Sequence, residues 1–489
     1  MVIVSGLTKE ILRDTFKEAL REEIRRQIFE WKHPVVSYSG FKYRILFHSP
    51  SYSPHYAEHV VDPLDGREKL VMAVPHTTPN AGTIIIYDIE NDVIEWKVDL
   101  KTLVSWNTVN PHMAHMIVDE DRMNIVTGSW VDVLGSGKLN ANPGDIVAPS
   151  PDNTWVVIDR KNKNIKQRIV PGFGGEVIHD ILPSVGKDGF IVTDYLKGVY
   201  KIDFNGSVMW SWMTTERGWG KLTKLLPIFY NVGHNSSYGG NYLVAKNDNV
   251  SGIYEINDNA GVANYCGSEP GRISTFWISK PHSAFRTGLA EIGGNLTIVG
   301  LEAGGGIVAI DKDCRPRWGI MKTYSMMPSS YWNYRPTSFG LFETTHVFPT
   351  LRGTIGFVDW SGVYGSVVGE VVEIPYHQTL WFLLAQEHDP GDNGTYYDPL
   401  IETAEWSTVK LFFVNTGNNS LDYTVYATNI PNLREETWPS HWKVIANGSV
   451  SGTSIVEVDA SGYLALRVFG KRSTAGSSSQ WSIFVVFRR

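Results

Sequence analysis

Apolar and polar residues recur along this chain with two different periods, and the change of period divides it. From Thr8 to Trp31 the apolar positions fall every four residues, at Leu12, Phe16, Leu20, Ile24 and Ile28, with Ala19 and Trp31 widening the stripe and Lys, Arg and Glu on the other faces. That spacing predicts an amphipathic helix. Thr8 is a suitable N-cap, and Pro34 forbids continuation. At 1.5 Å per residue the helix would be about 36 Å long. Two roles are open for it: packing on its own protein, or docking and oligomerisation.

From about residue 50 the period falls to the two-residue alternation of strands. The clearest stretch is VIHDILPSVGKDGFIVTDYLKGVYKIDFNGSVMWSW, Val177 to Trp212. It reads as four strands, with turns at Lys187-Asp188-Gly189, at Gly198 and at Asn205-Gly206. The same order can be laid on Ser53 to Val98, Pro111 to Val170 (with an insertion from Trp130 to Asn153), Gly233 to Gly267, Pro281 to Ile320, and Thr345 to Gln386. In the last copy TLWFLLAQ serves as the fourth strand. Third strands end in an Asp- or Glu-containing turn, and most fourth strands carry Trp or Tyr. A four-stranded sheet repeated six times buries both faces by radial stacking, which predicts a six-bladed β-propeller. A seventh blade hidden near Trp212 to Tyr230 stays open.

After QEHDPGDNGTYYDPLIETAE the texture changes again. Six short strands from about Trp406 onward, separated by Asn-Gly, Ser-Gly and Asn-Asn turns, predict an antiparallel β-sandwich. The expected fold class is mainly β, with a helix at 1–34, a propeller at 35–390, a linker at 391–405 and a sandwich at 406–489.

Composition sharpens this. The chain has 489 residues, a net charge of −7, 12% aromatic residues and 46 glycines. The glycines and aromatics fit strands and turns, and the charge argues against a nucleic-acid partner. Cys266 and Cys314 are the only cysteines. A disulfide framework and a cysteine zinc site are excluded, while one bridge between the two stays open. No apolar run is long enough to span a bilayer. The N-terminus lacks the features of a signal peptide, so the expectation is a virion or extracellular particle protein released without a secretion signal, or else a cytoplasmic one. Asn-X-Ser/Thr sites fall at Asn205, Asn235, Asn249, Asn295, Asn393, Asn418 and Asn447. They are either chance products of an Asn- and Ser-rich chain or glycan acceptors.

Chemistry concentrates where the repeat is strictest. Each first strand opens with a histidine: His55, His112, His179, His234, His282 and His346. The first strand of a blade lines the channel, so these six are expected to form a ring near one mouth, with His59 and His115 close by. Three readings stay open. The imidazoles donate to carbonyls of the neighbouring blade; they bind an anion or polarise a substrate; or they hold a transition metal, its identity unknown. No cofactor is implied. Tyr324, Tyr331, Trp332 and Tyr334, in TYSMMPSSYWNYRP, either stack on a sugar or protein partner or cover the propeller mouth. The glycine-rich run from Glu302 to Ile310 precedes a strand, which argues against a phosphate loop.

The blades resemble those of arylsulfotransferase-like propellers, on the strength of Val177 to Trp212 and of GHNSSYGGNYLVAKNDNVSGIYEIND. That resemblance implies sulfuryl transfer through a histidine intermediate, with His179, His234, His282 and His346 as the matching histidines and Asn235 with Arg335 or Arg286 as oxyanion partners. The last domain, in FFVNTGNNSLDYTVYA and YLALRVFGKRSTAGSSSQWSIFVVFRR, looks like small β domains of virion and tail proteins. The leading expectation is a non-enzymatic assembly or attachment protein. Its helix would dock to protein partners, and a glycan or host-surface molecule is a further candidate ligand.

Overall fold

A computed structural model of the chain describes residues 9–38, 41–75, 80–104, 111–118, 133–134, 136–150, 154–173, 178–184, 186–194, 198–212, 228–235, 241–247, 252–257, 262–267, 281–287, 296–301, 306–310, 316–321, 344–359, 366–374, 379–402, 407–429, 442–452, 454–463 and 465–488. It is mainly β, with eight antiparallel sheets among the described residues. Six of them follow one another in the chain as blades. The innermost strands are Tyr56–Val61, His115–Met116, Ile178–Pro183, Ile228–Asn235, Pro281–Thr287 and Thr344–Pro349. The innermost strands of blades 3 to 6 lie side by side in turn and the sixth returns to the first, while His115 and Met116 of blade 2 bond to blades 1 and 3, so the sheets close a ring. Whether a further blade lies within residues 213–227 falls outside the described residues.

The burial pattern follows from this stacking. In blade 1 the two middle strands, Glu68–Val74 and Thr83–Asp88, are buried almost throughout, whereas the outer strand Val93–Asp99 buries only Trp96 and Val98. Trp96 closes against blade 2 by donating Nε1–H to Arg160 O at 2.9 Å. In blades 1 to 3 the aspartate that ends the third strand turns the chain. Asp88, Asp159 and Asp203 accept from the backbone N–H of Asn91, Asn162 and Ser207, as short acidic side chains do in turns. Gly206 is required there: its φ is +89°, and a Cβ would stand 2.2 Å from Val170 O.

Four strands differ from the sequence expectation. The second strand of blade 2 is Ile146–Ser150, inside the stretch assigned to an insertion. Pro149, which lacks the N–H of a central-strand residue, lies near the strand's end, opposite Trp155. The fourth strand of blade 6 is not TLWFLLAQ but Phe41–Ser49, from the other end of the chain, paired with Ser366–Glu373 and backed by Val35–Tyr38. Arg44 fastens that closure by donating to Glu370 Oε1 at 2.6 Å. Thr379–His388 instead pairs with the last strand, Trp481–Arg488. Thr395–Glu402, within the expected linker, pairs with Ala465–Arg472. Both runs are apolar enough for either role, and pairing partners distant in sequence decide between them.

Among the described residues the C-terminal sandwich therefore has eight strands. Numbered within it, they stand in the orders 1-8-3-6 and 2-7-4-5, the arrangement of a jelly roll. Its alternation is regular: Val409, Leu411 and Phe413 face Leu421, Tyr423 and Val425 across a core that also holds Val468, Trp481, Ile483 and Val485.

The N-terminal helix, Lys9–Lys32, meets the propeller through its last turn. His33 is buried, with Nδ1 3.0 Å from Ile45 O and Nε2 3.0 Å from Ile89 O. Phe29 sits under the guanidinium groups of Arg44 and Arg352. The predicted stripe is not the face that docks. Leu20, Ile24, Ile28 and Trp31 are exposed, Trp31 by 81%. No helix among the described residues is long and apolar enough to cross a membrane.

Candidate functional site

Four of the six histidines meet. The His55 ring lies 5.1 Å from that of His112, 5.8 Å from His179 and 4.7 Å from His282, centroid to centroid; His112 stacks on His179 at 4.6 Å. All four are buried, with His55 and His112 the most accessible at 7%. Each precedes an apolar residue two positions on, Ala57, Ala114, Ile181 or Ala284, which packs inside the ring of strands.

His346 is not a member, and strand register explains why. His179 and His282 occupy bulges, between the pairs Ile178↔Asp194 and Asp180↔Thr193, and between Pro281↔Leu301 and Ser283↔Gly300. In blade 6 the bulged residue is Thr345, between Thr344↔Asp359 and His346↔Val358. A bulge adds one residue to its strand, so Thr345 holds the histidine's place and His346 stands one step further along. There His346 stacks on Tyr56 at 4.2 Å. Blade 4 has its irregularity between Asn231 and Gly233, so His234 too is out of step. The side chains of His234, Asn235 and Arg286 lie outside the described residues. So do Arg335, the aromatic group Tyr324, Tyr331, Trp332 and Tyr334, Cys314, and the side chain of Cys266.

The imidazole-to-carbonyl contacts expected between blades are present at two positions. His282 Nδ1 is 2.6 Å from Thr345 O, and His346 Nδ1 is 2.8 Å from Ala57 O. Thr345 Oγ1 also donates to His55 O at 2.8 Å. Since a carbonyl only accepts, each of these histidines carries its proton on Nδ1. Burial pushes His282 down to about 4, against the smaller upward pull of Thr345 O. Burial also holds His346 well below its ordinary value. Both are neutral at pH 7.

His115 is the opposite case. It lies 2.9 Å from Glu58 Oε2 through Nδ1 and 3.1 Å from Asp180 Oδ1 through Nε2, with Tyr56 Oη 3.1 Å from Nδ1. Burial opposes its charge, but the two carboxylates outweigh burial and push it up to about 9. Burial also raises Glu58 and Asp180, against the pull of His115, Met116 N–H and Ile181 N–H. The three groups titrate as a unit, and His115 is its proton holder because it faces a carboxylate on each ring nitrogen. The unit joins blades 1, 2 and 3. His59 likewise bonds Glu68, which pairs with Arg352 of blade 6.

Sequence reasoning missed Glu58, Asp180, Tyr56 and Thr345. A signal existed for the first: Glu58 and His115 each stand three residues after a blade-opening histidine, so the repeat alignment places a carboxylate beside an imidazole in adjacent blades.

No protein-family model matches the chain, and no curated protein does. Among solved structures, a protein of unknown function from Bacteroides caccae aligns with a TM-score of 0.36 at 14% identity, covering 57% of this chain and 80% of its own. BBS1N in complex with ARL6DN aligns at 0.38 and 9% identity, covering 70% and 91%. The Dos1 propeller aligns at 0.34 and 13% identity, covering 65% and 67%. At these scores the propeller assignment rests on the strand order of this chain itself, a ring of six sheets among the described residues, five of four strands and a sixth that two N-terminal strands complete.

Proposed function

We propose that the protein is a non-enzymatic assembly component, a structural or attachment protein of a virion or surface appendage, whose helix joins it to further copies of itself. The observation that carries this reading is the helix face bearing Leu20, Ile24, Ile28 and Trp31, which stays exposed although the other face is anchored through Phe29 and His33. Four large apolar side chains at helical spacing lose contact with water when they pack against a like stripe. The charges around them are mixed in sign, with Arg26 already paired to Glu23 and Glu30. That mixture suits a second copy better than an anionic membrane. A jelly-roll order is shared by viral capsid and lectin domains, which supports the sandwich as the glycan- or host-facing module. Asn205, Asn393, Asn418 and Asn447 lie at exposed positions, as glycan acceptors must.

The test is molar mass in solution by light scattering. An oligomer that becomes a monomer in the Leu20→Glu, Ile24→Glu double variant supports the reading. A wild-type monomer at micromolar concentration overturns it.

A second reading, sulfuryl transfer as in arylsulfotransferase-like propellers, draws support from the convergence of His55, His112, His179 and His282. It predicts transfer of sulfate between phenols that is lost in His179→Ala. His346 is a poor nucleophile for it, since its ring is stacked on Tyr56 and bonded to Ala57 O.

A further inference from the structure

We infer that the propeller axis carries a binding site for one divalent transition-metal ion, of the Zn²⁺ or Co²⁺ class, built from His55, His179 and His282. One ring nitrogen of each lies within 4.8 Å of the others. The three come from blades 1, 3 and 5, so they approach the axis from alternate directions, as a facial set of ligands must. Tetrahedral coordination at about 2.0–2.1 Å places nitrogens about 3.3 Å apart.

The chemistry of the donors fits. Imidazole favours Zn, Cu, Co and Ni over hard cations, and a ligand must present a lone pair. His282 does so, because Nδ1–H donates to Thr345 O, and in that tautomer the lone pair is on Nε2. A ligating histidine whose other nitrogen donates to a backbone carbonyl is the usual outer-shell arrangement of metal sites. His112, stacked on His179, walls the cluster on one side. His55 and His112 keep slight exposure, which leaves a fourth coordination position to water. Bound there, the ion would pin blades 1, 3 and 5 together at the axis.

The carboxylate cluster of Asp62, Asp65 and Glu95 has comparable spacing but is already supplied with cations. Lys69 bonds Asp65 and Glu95, and Arg160 bonds Asp62 and Glu95. It is an ion-pair network.

The test uses the full chain, stripped with EDTA and titrated with Co²⁺ and then Zn²⁺. The expected result is one Co²⁺ per chain with the visible absorption of a tetrahedral nitrogen site, displaced by Zn²⁺. Affinity should fall by more than about 100-fold in His179→Ala or His282→Ala, because loss of an outer-shell partner alone costs about 10–100-fold. His346→Phe, which keeps a ring against Tyr56, should bind as the wild type does. If a ligand variant fails to fold, X-ray absorption of the wild-type Co²⁺ complex counts the imidazoles directly, and three are expected. No stoichiometric binding, an all-oxygen ligand set, or binding that persists in His179→Ala but disappears in Asp65→Asn overturns the inference.

Discussion

The propeller and the sandwich are both antiparallel β structures, yet their interiors are built on different chemistry. The sandwich buries an alternating apolar set, Val409, Leu411, Phe413, Val468, Trp481 and Ile483. Its ion pair of Arg472 with Asp389 sits toward the edge, partly exposed. The propeller buries ionisable groups at its axis and between its blades: four clustered histidines, His346, the Glu58–His115–Asp180 unit, Lys69 with Asp88, and Arg160 with Asp62. A two-layer sandwich can exclude water with hydrocarbon alone. A ring of sheets brings strand edges together around a channel, where backbone carbonyls need donors. Side chains such as His282 and His346 supply them from the neighbouring blade. The same alternation thus specifies two interiors that respond to protons in different pH ranges.

The largest expected effect that would break the comparison is in the propeller. His115→Leu leaves Glu58 and Asp180 buried without their shared partner, and removing one member of a buried ion pair costs about 3–5 kcal/mol. Hydrogen exchange should show the inner strands of blades 1 to 3 opening while the sandwich keeps its protection. Trp481→Ala is the counterpart. Truncating a fully buried aromatic costs about 3–5 kcal/mol, and exchange should rise only in the sandwich, residues 379–488.

Acid should separate the two regions next. His282 has a folded-state value of about 4, below its ordinary value, so the unfolded chain takes up its proton first as pH falls. Stability is therefore lost as pH falls from about 6.5 to about 4, by about 3 kcal/mol for this group, and His346 acts in the same direction. Asp389 is held down to about 2 by Arg472. Its contribution is intact above the ordinary carboxylate value and is lost only as pH falls toward 2. Chemical unfolding in metal-free buffer at pH 7 and pH 5 should show the propeller weakening first; equal weakening of both would contradict the assignment.

Smaller is Arg44→Ala, which removes a charge-assisted bond to buried Glu370 at the closure of blade 6. It is expected to cost about 2 kcal/mol, read as faster exchange in Phe41–Ser49. Smallest is Leu20→Glu. Being exposed, Leu20 should shift the stability of either domain by no more than about 0.5 kcal/mol, whatever it does to association.

The repeat, the helix and most strands were legible because local alternation and turn chemistry act within a few residues. Asp203 and Gly206 mark their turn as plainly in sequence as in space. What was not legible depended on partners far away in the chain. Thr379–His388 could complete a blade by pattern, but Phe41–Ser49 occupies that edge and Trp481–Arg488 claims the strand. Of the five blade-opening histidines whose side chains are described, four meet as the repeat predicts and His346 does not. A bulge shifts register without changing composition, so His346 kept its place in the alignment while Thr345 took its place in space. The carboxylates around His115 were hidden differently, since adjacency between blades is a property of the closed ring.

The central claim is that closure of that ring holds His282 and His346 neutral and His115 charged at pH 7. Long-range ¹H–¹⁵N spectra of the histidine rings, followed from pH 4 to pH 9 in metal-free buffer, test it most directly. The account predicts that His282 and His346 stay neutral with the proton on Nδ1 well below pH 6, while His115 holds both protons until about pH 9. Common titration of these three near pH 6.5, as free imidazoles would show, would contradict it.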